Sequence, residues 1–353
     1  MTVFSSFLKT FLIHYIQCNI KLYRYSGNDA WLLVERIYLE MGKKLMKKHQ
    51  KITREEQVLP NLFIAGTAKS GTTSLYNYLK KHPDIFTGKR KETRFFTWQE
   101  FVRKPISKAF RDRFVTDFNE YKELFNGIGN EKYVMDGSIY IMYFKNAIQG
   151  VKEYNPDAIL LILLRNPADR LFSHYKMLYN RGVEKRKWSK FILDPVSIEG
   201  INLMELGLYA EQLENVFNVF ENKKVKVMFF DDFIEDTKKT LIDIYNFIGV
   251  KEIAADNEES IYLKSRGILR GRIFQIINSR FRKALNFLRR HRRKGLRKIS
   301  HVIDKIMYKS MELSKKDRQM LAAYYSSDIT KLEKITGRDL SSWKAGCKGE
   351  PNG

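Results

Sequence analysis

The sequence predicts an α/β protein whose central sheet is parallel and covered by helices on both faces. Three observations predict it. Short apolar runs of strand length alternate with amphipathic stretches of helical period. One run, AILLILLR at residues 158–165, is apolar throughout, without a polar alternate. Two of the runs close on glycine or arginine just before a helix begins. A strand with helices on both sides has no wet face, so an uninterrupted apolar run is what such a sheet needs. Strand and helix in alternation make consecutive strands parallel.

Taken in order, residues 1–57 read as an N-terminal helical extension ending in a charged stretch, 43–56. Its apolar patches are interrupted by Lys9, His14, Gln17, Asn19 and Lys21, and it lacks a small-residue cleavage site. A buried or membrane-surface helix suits it better than a spanning one. The core is expected over 58–250. LPNLFIAG (59–66) is its first strand, and a helix over 72–81 ends at His82-Pro83. A polar segment, TGKRKETRFFTW, leads into an amphipathic region that runs to about Phe125. YVMDGS is the next strand, followed by a helix over 140–154 and the apolar strand at 158–165. Asn166-Pro167 opens a helix with proline at its first position. A helix over 208–221, the strand VKVMFF and a helix over 237–248 complete the alternation.

The C-terminal part, 251–353, is expected to hold a basic helical insertion at about 267–312 and a tail that packs on the core. Ile273, Ile277, Phe281, Leu285 and Leu288 recur near helical spacing there, and residues 280–298 carry ten Lys or Arg and no acid. That stretch suits a solvated basic face or an anion- and membrane-binding surface equally well. The 353 residues carry 64 Lys and Arg against 40 Asp and Glu, a net charge of +24. Such a surface favours anionic partners without choosing among them. No zinc-finger or RNP-like signature is present, so nucleic acid is not expected. Cys18 and Cys347 form neither a metal spacing nor a disulfide framework. The expectation is a cytoplasmic protein, peripheral to a membrane at most.

Two motifs carry chemistry. GTAKSGTT (66–73) lies where an apolar strand meets a helix, so glycines let the backbone approach an anion and helix-start N–H groups point at it. Gly66 and Gly71 have the spacing of a P-loop, but Thr72 stands where that loop places lysine, and Lys69 lies inside the loop. A lysine inside the loop suits a 5′-phosphate carrying a sulfuryl group, which has no γ-phosphate to reach. The same residues also suit an ordinary glycine turn. RNPADRLFSHY (165–175) again follows a buried strand and opens a helix, with Arg165 suited to bidentate phosphate binding and Ser173 to an added donor.

Together these motifs resemble the PAPS-dependent sulfotransferase superfamily, in which a sulfuryl group leaves 3′-phosphoadenosine 5′-phosphosulfate for an acceptor hydroxyl. KSGTTSL (69–75) looks like the family's 5′-phosphosulfate loop, and RNPADRLFSHY looks like its 3′-phosphate signature. They stand in the family's order, with about 100 residues between them. HPDIF, ETRFFTW (92–98) and VKVMFFDDF are similar to the carbohydrate branch related to heparan sulfate sulfotransferases. The resemblance implies a P-loop-type fold, a carbohydrate or glycolipid acceptor and no metal requirement. It implies that Lys69 stabilises the leaving oxygen, that Ser70, Gly71, Thr72, Thr73 and Ser74 hold the 5′-phosphate, and that Arg165 and Ser173 hold the 3′-phosphate. Lys264 and Arg266 would match a later phosphate loop, and Glu92 would be the base, with Phe95 and Phe96 drying its surroundings. Two departures stand out: the branch's Glu-Lys-Thr-Pro stretch is Asp136-Gly137-Ser138-Ile139 here, and Arg94 replaces a histidine. Asp136 is then either an acceptor ligand or a supporting residue. The rival readings are a P-loop kinase using ATP and Mg²⁺ and a non-catalytic anion- or nucleic-acid-binding protein.

Overall fold

The structure is a computed structural model and describes residues 60–102, 106, 108–196, 200–253, 267–270 and 302–345. Its centre is a five-stranded sheet in the order β2-β3-β1-β4-β5, with every pairing parallel. The strands are β1 (Leu62–Gly66), β2 (Ile85–Thr87), β3 (Tyr133–Asp136), β4 (Ile159–Leu164) and β5 (Val225–Phe229). Leu62 of β1 stands opposite both Met135 of β3 and Ile159 of β4.

The apolar runs split between two cores because successive side chains of a strand point to opposite faces. Phe63, Ala65, Leu160, Ile162 and Leu164 join one cluster, while Leu62, Ile64, Leu161 and Leu163 join the other. The second is closed by α1 (Thr72–Leu79) through Leu75 and Leu79, and by the helix Thr237–Ile248 through Leu241 and Ile244. The first is closed by α2 (Lys145–Tyr154), α3 (Pro167–Asn180) and α4 (Tyr209–Phe217), with α5 (Thr237–Ile248) on the opposite face and α6 (Lys315–Thr336) added through Leu321, Tyr325 and Ile329. Both faces are therefore dry, as the apolar run of β4 predicts.

Differences from the expected elements have local causes. β2 is only three residues long, too short for a period to show, and was not expected from the sequence. The helix expected over 140–154 is broken at Phe144, whose extended backbone separates a 3₁₀ turn, Ile141–Tyr143, from α2. α1 stops at Leu79, and its last turn tightens through Lys81 N to Tyr78 O and His82 N to Leu79 O. Within the expected basic helical insertion, residues 302–307 are helical, but its described ends form a ribbon in which β6 (Ile268–Leu269) pairs antiparallel with β7 (Tyr308–Lys309). Asn180, the last residue of α3, pins that ribbon by donating to Gly267 O and accepting from Leu269 N. The basic stretch 280–298 and the N-terminal extension 1–57 lie outside the described residues. After α6 the chain turns at Gly337 (φ 68°), and Trp343 donates to the Asp231 carboxylate at 3.1 Å.

Candidate active site

The loop between β1 and α1 is fastened to the neighbouring strand. Thr67 N donates to Leu163 O at 3.1 Å, and the Thr67 and Ser70 hydroxyls share a hydrogen bond of 2.5 Å. Lys69 (φ 72°) and Gly71 (φ 88°) both take left-handed backbone, which curls the chain into the start of α1. Gly71 is needed twice over, since a Cβ there would lie 2.9 Å from the Phe230 ring. No side chain caps α1, and while Ser74 N donates to Gly71 O at 2.9 Å, the Thr72 and Thr73 N–H groups at the helix start are placed to meet an anion.

Arg165 follows β4, and Asn166 caps α3 by accepting from Ala168 N at 3.0 Å. Arg165 Nη1 donates to Lys69 O at 3.1 Å, and its guanidinium lies 4.5 Å from the centroid of the Phe230 ring. The structure thus brings the two sequence motifs together across adjacent strands. A cleft of about 480 Å³ runs from Arg165 along Asp169, Phe172 and Lys176 of α3 towards Tyr308 and Arg318. Ser173 is half-buried on α3, between Asp169 and Lys176 on the same helical face, but does not line the cleft.

Cations converge on Lys69. Burial, and then the charges of Arg181, Arg165, Lys91 and Lys176, bring its pKa down to about 8. Concentrated positive charge of this kind is costly without an anion to receive it. Buried His174 lies in the same field: burial, then Arg170, Lys69 and Arg181, push its pKa well below the usual histidine value, so the ring is neutral at pH 7.

The segment after β2 forms the other wall. Lys91 Nζ donates to Thr73 Oγ1 of α1 at 3.0 Å and lies 3.5 Å from Glu92 Oε1. Arg94 Nη2 holds Glu92 Oε2 at 3.1 Å. Phe95 and Phe96, expected beside Glu92, turn toward the core: Phe95 stacks on Tyr121 at 4.5 Å and Phe96 meets Phe63 edge-on. Glu92 instead stands between two cations. Asp136 is fully buried and accepts from Thr93 and Ser138 hydroxyls at 2.6 Å and from Tyr121 at 3.1 Å, so it is a support for this wall and no acceptor ligand. Burial raises its pKa against the pull of those hydrogen bonds.

The profile of the sulfotransferase family matches residues 60–254, more than half of the chain. The chain belongs to the sulfotransferase family. The matched span runs from β1 through α5 and includes both anion motifs. Human carbohydrate sulfotransferase 15 is 20% identical over 263 residues, covering 59% of this chain and 46% of that protein. Mouse heparan sulfate glucosamine 3-O-sulfotransferase 6 is 23% identical over 202 residues, covering 56% of this chain and 54% of that one. The chain spans about half the length of these curated relatives. The crystal structure of a sulfotransferase from Alicyclobacillus acidocaldarius superposes with a TM-score of 0.61 at 26% identity, covering 81% of this chain and 99% of that one.

In this sulfotransferase the residues 69–74 and Arg165 form one corner, and Glu92 joins it through Lys91 and Thr73. Lys264 and Arg266 lie outside the described residues. Sequence reasoning missed Lys91, which stands among the cations Lys89, Arg90 and Arg94 close to Glu92 in the chain. It also missed Lys176, Arg181 and Arg318. Arg318 is buried, pairs with Asp169 at 2.7 Å and comes from a helix nearly 150 residues away. Lys176 lies on α3 and Arg181 caps its C-terminal end, five residues apart and so without the three- or four-residue spacing that would have marked a shared face in the sequence.

Proposed function

We propose that this sulfotransferase moves a sulfuryl group from 3′-phosphoadenosine 5′-phosphosulfate to a hydroxyl of a carbohydrate or glycolipid acceptor. The observation that carries the reading is the Arg165 hydrogen bond to the carbonyl of Lys69, which unites the two anion motifs in one site. Ser70, Gly71, Thr72, Thr73 and Ser74 take the 5′-phosphate at the uncapped start of α1. Arg165 and Ser173 serve the 3′-phosphate end, and the cleft along α3 takes the nucleoside. The acceptor oxygen bonds to sulfur as the bond from sulfur to the bridging oxygen breaks. Glu92 takes the hydroxyl proton, and adenosine 3′,5′-bisphosphate leaves with the added negative charge beside Lys69.

The names of the relatives support a carbohydrate acceptor, and the net charge of +24 favours an anionic one. Among the described residues no helix is long and apolar enough to cross a membrane. Val302 and Ile306, exposed one turn apart just after the basic stretch, support contact with a membrane surface. A kinase is disfavoured by family membership and by Thr72 in the P-loop lysine position.

The test is incubation with sulfur-35-labelled donor and a panel of desulfated heparan and chondroitin chains, glycolipid vesicles and small alcohols. Label is expected in a glycan or glycolipid, together with a thermal shift on adding adenosine 3′,5′-bisphosphate. No label in any acceptor and a shift only with ATP and Mg²⁺ would return the kinase reading.

A further inference from the structure

The ammonium of Lys91 bridges the donor loop's helix and Glu92. Its Nζ donates to Thr73 Oγ1 at 3.0 Å, on the first turn of α1, and approaches Glu92 Oε1 to 3.5 Å. Arg94 takes the other carboxylate oxygen, Oε2, at 3.1 Å. The lysine is also packed, with a side chain only 18% exposed. Its ammonium lies 5.9 Å from the centroid of the Tyr76 ring. Its carbonyl accepts from Gly137 N at 2.9 Å. A Cβ on residue 137 would meet Lys91 Cγ, Lys91 O and Tyr76 Cδ2 at 3.1 Å each, so glycine there is what leaves room for the lysine stem. A solvated surface lysine needs no such recess. Burial pulls its pKa down, opposed chiefly by Glu92, with Arg94 and Asp136 the other charges that bear on it.

We propose that Lys91 is a positioning residue for sulfuryl transfer: its ammonium ties the Glu92 carboxylate to the first turn of α1 and so sets the proton acceptor beside the sulfur-bearing end of the donor. The proposal rests on the donor and base assignments above. The tie acts on the attack step, because Lys91 reaches the 5′ end of the site through Thr73 while Arg165 grips the loop from the other side. It depends on Gly137 opposite Lys91, since a side chain at 137 and the lysine stem compete for the same space.

The experiment is a double-mutant cycle of Lys91→Met and Glu92→Gln, read as transfer to the glycan panel and as donor hydrolysis with water as acceptor. Binding of adenosine 3′,5′-bisphosphate is measured alongside. Lys91→Met should lower kcat about 30-fold, within the range of a mispositioned base, and change bisphosphate affinity less than about threefold. In the Glu92→Gln background it should add less than about threefold, because the group it positions is already gone. Lys91→Arg should recover most of the activity. Gly137→Ala, which pushes on the stem without touching its charge, should reproduce part of the loss. Additive effects of the two substitutions would overturn the proposal, as would wild-type kcat in Lys91→Met or a loss of bisphosphate affinity parallel to kcat. A wild-type protein that neither binds the bisphosphate nor turns over donor would instead sink the donor assignment, which separates the two failures.

Discussion

Between Gly66 and Ser74 the groups expected to hold the 5′-phosphate lie within nine residues, whereas the wall around Glu92 is assembled from contacts that span 15 to 45 residues. Lys91 meets Thr73 across 18 residues, Thr93 meets Asp136 across 43, and Tyr121 meets Asp136 across 15. The donor corner is a backbone device: left-handed Lys69 and Gly71, an uncapped helix start and a strand that ends in time. The opposite wall is a side-chain device, in which a buried carboxylate and three hydroxyls hold two cations and an acid in place. Backbone devices leave short signatures because few residues tolerate the dihedrals they need. Side-chain devices leave none, because any pair of polar residues brought together by the fold serves.

The largest expected effect breaks the comparison on the donor side. Lys69→Ala should lower kcat about a thousandfold, as expected when charge on a leaving oxygen loses its stabiliser. Thermal stability should not fall and can rise, since an amine crowded by four cations is removed. Steady-state kinetics and a melting curve on one preparation check both. Retention of more than about a tenth of the wild-type kcat would move the leaving-group role elsewhere.

The second effect is on the opposite wall and is a stability effect. Asp136→Ala leaves the Thr93, Ser138 and Tyr121 hydroxyls without their acceptor in a fully buried site. A loss of about 3 kcal/mol is expected from unpaired buried groups and the space left behind. Urea unfolding measures it. Asp136→Asn keeps the shape and should lose clearly less. If both variants unfold like the wild type, the wall does not depend on this carboxylate, and the contrast between the two halves is weaker than drawn.

This division also explains what was legible in the sequence. The parallel sheet could be read because β4 is apolar on both faces, and the meeting of Lys69 with Arg165 followed from two loops that each end a neighbouring strand. β2 could not be read, since three residues show no period. Phe95 and Phe96 were misplaced because a pair of aromatic residues beside an acid looks the same in sequence whether the rings turn to the site or to the core. Asp136 stayed open between acceptor ligand and support because sequence does not reveal burial. Lys91 was hidden among neighbouring cations until Gly137 showed where its stem runs.

The smallest effect joins the two halves, because Lys69 feels charges from both. Its pKa of about 8 comes first from burial, then from Arg181 and Arg165 on the donor side, then from Lys91 on the opposite wall and Lys176. The protonated amine is the useful form, so kcat/KM, which reports the free enzyme, should hold below pH 8 and fall tenfold per unit above it. With donor bound, its negative charges retain the proton, so kcat should stay flat to higher pH. Removing a neighbouring cation raises the amine's pKa, which moves the falling limb to higher pH. Arg181→Leu should move it further than Lys91→Met, following the order in which the two charges act on Lys69. Rate profiles between pH 6.5 and 9.5 for the wild type and both variants decide it. A kcat/KM that stays level through pH 9.5 would mean that the cations around the loop do not depress this amine. A larger displacement from Lys91→Met than from Arg181→Leu would mean that the wall around Glu92, more than the donor corner, sets the charge state of the residue between them.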